Sequence, residues 1–425
     1  MAQQNTTSTL DGLFKVVYGE GPIRAVPEIA IIQKEVKFQQ TEKIGKSYNF
    51  PVILSNEAGV TYLAAGAGVS TLNAAVAAQL KEASVDANQI IIRGQMDYEA
   101  AAKAVNSKES FKNASELLVE NLLETSAKRT EMAFLYGQSA TGLGTADTSA
   151  NVNTTKTRVT MLASGWAAGI WAGSENAIVN FYKVSDNSLV SSGVNADFVV
   201  GFIDYAAKKI DFTGTTTGIT ALDVALAAGD CYIHWKGAKG VEPVGIDKII
   251  TNTGSLFGID ASVYSLWSGS TYSMGNAAAT VAKYLNGVGL AVSKGGLMEE
   301  ATILLSPATF MNLSGTMTDL RRLNGGQKET TGIAGFEAIT LMGPNGKLNF
   351  VVHPMTKEGE SFLVPFKRFK RIGSQEFSFE TPGRKGELFL HVPDANAYEL
   401  RLYGAQAIIC TTPAKTVKYT GIVNS

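Results

Sequence analysis

The longest regular pattern in the chain is a stripe of mostly apolar side chains: Phe111, Ala114, Leu118, Leu122, Thr125, Met132 and Tyr136. Their spacings of three, four, four, three, seven and four residues are helical. Glu116, Glu120, Glu124, Lys128 and Glu131 lie largely off the stripe. The pattern predicts a long amphipathic helix from about Tyr98 to Tyr136, broken near Asn106-Ser107, with Ser107 as N-cap of its second part and Gly137 placed to end it. Such a face must be covered by other elements. The chain can supply them: 45% of its 425 residues are hydrophobic, which excludes wholesale disorder, and its length suggests roughly two or three domains.

Ahead of the helix the texture is extended. Leu10–Tyr18 alternates loosely before Gly19, Gly21, Pro22 and Pro27 break it, which reads as an extended or irregular arm. Ile29–Val36 fits a strand or a short helix. Lys46–Leu54 and Val60–Ala64 read as two strands joined by Ser55–Gly59, with Tyr48, Phe50, Val52 and Leu54 on one face and Pro51 favouring an edge position. Two readings stay open for this hairpin: packed on its own domain, or projecting to find apolar partners on a neighbouring chain. Leu72–Leu80 reads as a short helix, and the β-branched run in Asn88–Gln95 as a buried strand.

Beyond the helix, Ser139–Thr157 is a low-complexity stretch expected to be loop. From Arg158 to about Gly245 come short β-like runs, Ala177–Val184, Asp197–Ile203, Lys209–Phe212 and Cys231–Trp235, with little helical signal. They predict a small β-sandwich or barrel inserted into a larger host. Mixed texture then returns: a helix within Ala277–Leu290, a strand Ala301–Leu305 leading into a helix at Ala308–Leu313, a glycine-rich loop Leu320–Gly335, and strands Phe336–Leu341, Leu348–His353 and Ser361–Val364. The tail is β-like at Gln375–Phe379, Glu387–Val392, Glu399–Tyr403 and Ala407–Thr411.

Residues that could carry chemistry are scarce. Cys231 and Cys410 are far apart, and His234, His353 and His391 have no partner at metal-ligand spacing, so core or edge roles are expected. Gly343–Lys347 lacks the first glycine and the Ser/Thr of a phosphate loop and reads as a hairpin turn. Gly66–Thr71 lacks the third glycine of a dinucleotide fingerprint. Gly-x-Ser-x-Gly is absent, and nothing marks Glu299-Glu300 as a catalytic pair. The balance of 37 basic to 38 acidic residues gives net −1 and no footprint of a dedicated nucleic-acid binder. One basic run, Pro365–Arg371, is interleaved with aromatics and reads as a strand with a solvated or subunit-facing edge. Arg321 and Arg322 fall in a charged loop suited to ion pairs between subunits. Neither a signal peptide nor an apolar stretch long enough to span a membrane occurs in the sequence, which reads as soluble and made in a reducing compartment. Charged residues make up only 18%, which suggests surface covered by other chains. No enzyme, cofactor site or metal site is expected.

In this order, the pieces resemble a tailed-bacteriophage major capsid protein of the Hong Kong 97 type. Leu10–Tyr18 looks like the start of the N-terminal arm, Gly45–Val52 with Gly59–Ala64 like the extended-loop hairpin, and Lys108–Tyr136 like the spine helix. Leu256–Asp260 and Tyr264–Trp267 resemble the segment re-entering the host fold, and Arg371–Glu376, Tyr398–Arg401 and Lys418–Ile422 the family's tail. The resemblance implies an α+β fold with an arm (1–37), an extended-loop hairpin (38–75), a peripheral domain with the spine helix (76–157), an inserted β-rich domain (158–245), a return segment (246–289), an axial domain (290–367), and peripheral return strands with the C-terminus (368–425).

The implied function is a virion head shell of hexamers and pentamers, assembled in the bacterial host cytoplasm around double-stranded DNA that it touches without reading sequence. Portal, scaffolding and decoration proteins are the implied partners. The chain's start, almost directly at the arm, implies processing already completed or scaffolding supplied by a separate protein. Tyr48, Phe50, Val52, Leu54, Tyr62, Arg321, Arg322, Lys367 and Arg368 are the candidate intersubunit contacts. An encapsulin-like nanocompartment is the alternative, and a carbohydrate-active or glycan-binding β protein the third reading.

Overall fold

The computed structural model describes residues 30–43, 47–97, 99, 114–323, 338–379, 389–392 and 396–424. The expected arm at 10–18, the first part of the long helix (98–113, apart from residue 99) and most of the glycine-rich loop (324–335) lie outside the described residues. The chain forms two compact units of mixed α/β structure. The larger comprises Pro27–Ile91, Ser126–Ser378 and Tyr403–Ser425, and the smaller Met1–Val26, Ile92–Thr125 and Phe379–Leu402.

In the larger unit, six antiparallel strands follow the order Cys231–Trp235, Ile178–Lys183, Phe198–Asp204, Lys209–Thr213, Lys156–Met161 and Gly144–Asn153. The two outer members meet where Gly142 bridges Ile233 and the Leu143 N–H donates to the Ile233 carbonyl at 2.8 Å. This contact lies just ahead of strand Gly144–Asn153, so the two ends of the sheet touch there without a paired ladder. Its interior is aromatic: the Phe181 ring stands edge-on to Phe198 and Phe212 at 5.1 and 5.0 Å, with Trp171 6.4 Å from Phe212. Two departures from the sequence expectation occur here. Strand Gly144–Asn153 lies within the stretch read as loop, because its small polar residues hide a ladder made with Lys156–Met161. A helix, Thr216–Ala228, follows an N-cap in which the Thr215 hydroxyl accepts the Gly218 N–H, and it buries Ile219, Leu222, Ala225 and Leu226.

A second, mixed sheet orders Ser270–Ala277, Val417–Ile422, Ser361–Val364, Ala301–Leu305, Gly346–Val352 and Ala338–Gly343. Strand Ala301–Leu305 is buried at every position, Thr302 included. Helix Val281–Gly295 is capped by Thr280 and ended by Gly296 in the left-handed region; its Tyr284 is buried and shares a hydrogen bond with Ser361. Helix Pro307–Leu323 runs ten residues past the expected Leu313 end, into the segment read as loop from Leu320. Gly343–Gly346 is a hairpin turn, as expected, with Gly346 at φ 98°. In a third sheet, Phe369–Ser378 lies between Phe38–Lys43 and Ala397–Cys410.

The long helix is present as Ala114–Tyr136. Leu122, Met132 and Tyr136 of its stripe are buried, but Thr125 is exposed, and from Thr130 to Tyr136 the helix is buried all round, off-stripe Glu131 included. Ile29–Val36 resolves to a five-residue helix, Ile31–Glu35, whose Ile32 and Gln33 N–H groups donate to the Glu131 carboxylate at 2.5 and 3.2 Å. In the smaller unit, a Cβ on Gly94 would fall 2.7 Å from Leu118 Cδ1, so strand and helix meet there without a side chain between them. Arg93 and Arg401 both pair with Glu399 in that unit. Strand Asn88–Asp97 alternates half-buried and exposed positions rather than being buried on both faces.

Candidate assembly surface

Tyr48–Ser55 pairs antiparallel with Gln79–Val85 in a separate two-stranded sheet. Its return leg is not Val60–Ala64, which has no regular structure, and the helix expected over Leu72–Leu80 does not form. Tyr48, Phe50, Val52 and Leu54 do share a face, and their own chain packs against it. Leu54 and Ala83 are buried against Ile259 and Trp267, with Phe50 and Val52 alongside. Tyr48 and Phe50 also lean on Val85, Ile372, Ala407 and Ile409.

The other face and the tip are different. Ile53 and Leu80 are exposed on the legs, and across 56–78 the side chains of Val60, Tyr62, Leu63, Val69, Leu72 and Val76 all face solvent, Tyr62 at 91% exposure and Leu72 at 73%. The two legs of the tip are tied together by hydrogen bonds. Ala58 N–H donates to the Val76 carbonyl at 3.1 Å, Asn73 Nδ2 to the Val60 carbonyl at 2.8 Å, and Asn73 N–H to the Thr61 hydroxyl at 2.8 Å. Gly59 has Ala75 Cα 2.9 Å from where a Cβ would sit. Six solvent-facing apolar side chains within one segment are a larger apolar exposure than a lone surface residue. Of these six side chains only Tyr62 was an expected contact; Val60 and Leu63 fell in the expected strand Val60–Ala64, and Leu72 and Val76 in the expected helix.

The basic run is committed within the chain. Arg368 Nε and Lys415 Nζ hold Glu299 Oε1 at 2.7 and 2.9 Å, and Lys347 and Lys367 approach Glu300 at 3.0 and 4.0 Å. Arg371 is buried and donates to Gln406 and Glu376 at 2.7 and 3.2 Å. The Arg368 guanidinium holds the Glu299 carboxyl below the usual range, and hydrogen bonds from Asn349 and Lys347 do the same for Glu300. The neighbouring cations thus favour the ionised form of both carboxylates. Of the expected contact residues in this region, Lys367 reaches furthest into solvent. Arg321 and Arg322 lie in the last turn of Pro307–Leu323, and their side chains lie outside the described residues.

Several other titratable groups are buried within the chain. Burial pushes the Cys231 and Cys410 thiols up to about 11 and about 12, far from a nucleophile's range. Desolvation takes His234 down to about 4. His353 is fully buried; its Nδ1 accepts the Met355 N–H at 3.3 Å and its Nε2 meets Glu131 at 3.1 Å, so the proton sits on Nε2. Lys357, also buried, donates to the Thr141 hydroxyl at 2.7 Å and the Gly142 carbonyl at 2.9 Å and lies 4.0 Å over the Tyr136 ring. Lys418 pairs with Asp247 and Glu360 at 2.6 and 2.7 Å. Among the described residues no three His, Cys, Asp or Glu side chains converge on a metal position, and no helix is long and apolar enough to cross a membrane.

No protein-family model and no curated protein matches the sequence. Among solved structures, the capsid asymmetric unit of cyanophage A-1(L) is similar over 98% of this chain and 99% of that one, with a TM-score of 0.55 at 10% identity. The capsid of the native GTA particle aligns over 99% and 100% at TM-score 0.49 and 9% identity. The holo-SrpI encapsulin complex from Synechococcus elongatus PCC 7942 aligns over 99% and 96% at 0.45 and 8%. The first of these carries the fold assignment: the chain has the fold of a phage capsid protein over essentially its full length.

Proposed function

We propose that the chain is the major capsid protein of a tailed bacteriophage, assembling with copies of itself into an icosahedral head shell around double-stranded DNA. The observation that carries this reading is the hairpin tip, a shaped apolar segment without a covering partner among the described residues of its own chain, on a fold shared with a cyanophage capsid chain. Covering each such side chain releases about 1.5–3 kcal/mol at full burial, so a repeated contact of this kind contributes to the drive for assembly. The scarcity of charge and the inert cysteines and histidines fit a structural protein without catalytic chemistry.

Within this reading the Hong Kong 97-type parts are assigned as an arm (1–37), extended-loop hairpin (38–75), peripheral domain (76–157), inserted β-rich domain (158–245), return segment (246–289), axial domain (290–367) and peripheral return strands (368–425). Tyr62 and Lys367 join the apolar tip as the intersubunit contacts, and portal, scaffolding and decoration proteins are the partners. The shell belongs to the virion and is assembled in the host cytoplasm. Negative-stain microscopy with sedimentation of the purified chain tests the proposal: closed shells, capsomer rings or tubes support it. A chain that stays monomeric with scaffold and portal co-expressed overturns it. Enzyme rather than nucleic acid inside the particles would transfer the chain to the nanocompartment class.

A further inference from the structure

The hairpin meets the rest of the larger unit at a tight turn, Leu256-Phe257-Gly258-Ile259, between the paired strands Ser255–Leu256 and Ile259–Asp260. Both central residues have positive φ, 53° at Phe257 and 81° at Gly258. A two-residue turn of that hand asks for Asn, Asp or Gly at its first central position. A bulky aromatic there is an outlier, and outliers of this kind persist only where the surroundings over-determine them.

The surroundings here are specific. The described hydrophobic core falls into four clusters, and Phe257 is the one partly buried side chain packed against three of them. These are the main core, the group of Val85, Ile372, Ala407 and Ile409, and the group of Leu54, Ala83, Ile259 and Trp267. Its carbonyl accepts the Ser84 N–H at 2.9 Å, and the Trp267 indole donates to the preceding Leu256 carbonyl at 2.8 Å. Phe50 of the hairpin stacks 6.4 Å from Trp267.

We infer that Phe257 is a positioning residue: its ring, wedged into the three-way junction at the expense of an unfavourable backbone, sets the angle at which the hairpin leaves the body. Asparagine at 257 would relax the turn and empty the junction, so backbone ease and hairpin order are set against each other. For the shell this matters because the hairpin presents the apolar tip, a consequence that rests on the proposed function.

Hydrogen exchange on the full unassembled chain tests the joint without reference to shells. In Phe257→Asn, amide protection across 48–55 and 79–85, Ser84 above all, falls by about tenfold or more, while strands 178–183 and 301–305 keep theirs. Phe257→Leu, which keeps part of the bulk, gives a smaller loss confined to the same amides, and it supplies the comparison if the asparagine variant does not fold. Unchanged or increased hairpin protection in Phe257→Asn, or a loss in Phe257→Leu spread evenly over the unit, overturns the inference. Particle images of the same variants read the second arm: malformed shells from Phe257→Asn beside regular ones from the parent chain extend the inference to assembly. Absence of particles from the parent chain itself would count against the shell reading and leave the exchange result standing.

Discussion

Removing the Glu131 carboxylate tests how the long helix is held. The side chain is fully buried and accepts from the Ile32 N–H (2.5 Å), the Gln33 N–H (3.2 Å), Gln33 Nε2 (3.2 Å) and His353 Nε2 (3.1 Å). Glu131→Ala leaves two backbone amides and a ring N–H without acceptors in a dry site. Each orphaned donor costs about 1–3 kcal/mol. With three donors orphaned, we therefore expect a loss of about 4 kcal/mol. Glu131→Gln keeps one oxygen for Ile32 but turns an amide donor toward the donors of Gln33, so about 2 kcal/mol is expected. Urea unfolding curves at matched slope read the difference, and exchange of the Ile32 and Gln33 amides localises it. A loss below about 1 kcal/mol in Glu131→Ala would refute the reasoning, since it would mean those donors had found water or other acceptors.

Burial pushes Lys357 down to about 8 from its ordinary 10.5, so the folded chain disfavours the cation that the unfolded chain keeps. That cost, about 3 kcal/mol, is fully present below pH 8 and disappears as pH rises to 10.5; unfolding measurements at pH 7 and pH 10 should show stability shifting toward the parent chain relative to Lys357→Met at the higher pH. A Cβ on Gly373 would lie 2.0 Å from the Ala405 carbonyl oxygen, a backbone atom that cannot swing aside, so Gly373→Ala should lower stability by at least about 2 kcal/mol in denaturant titration. Tyr62→Ser combined with Leu63→Ser should leave the monomer's unfolding free energy within about 0.5 kcal/mol while raising the concentration needed for assembly by about tenfold or more in sedimentation.

Where local pattern and burial agree, the structure was legible in the sequence. The apolar-rich run of Ala301–Leu305 and the core-facing runs of Ser361–Val364 and Cys231–Trp235 became strands at those positions. Gln79–Val85 escaped because only Ala83 and Val85 are buried in it, so no alternation shows; its place is set by the partner strand. Thr216–Ala228 escaped for the opposite reason: its threonines and Val224 look β-like, and the Ile219, Leu222 and Leu226 face is apparent only beside its cap. The buried charges were beyond local reading altogether. Glu131 meets Ile32 across 99 residues and His353 across 222, distances at which spacing carries no information. Of the candidate surface, period-2 spacing placed Tyr48 to Leu54 on one face correctly, but whether that face meets its own chain or another is decided by residues such as Trp267 far along the sequence.

A cryo-electron-microscopy reconstruction of the particles formed by this chain measures the central claim directly. The account predicts Val60, Tyr62, Leu63, Val69, Leu72 and Val76 covered by a neighbouring subunit, with the face of Tyr48, Phe50, Val52 and Leu54 still packed on its own chain. A shell in which that tip stands in solvent while subunits join elsewhere, or a chain that forms no particles under any condition of co-expression, would contradict it.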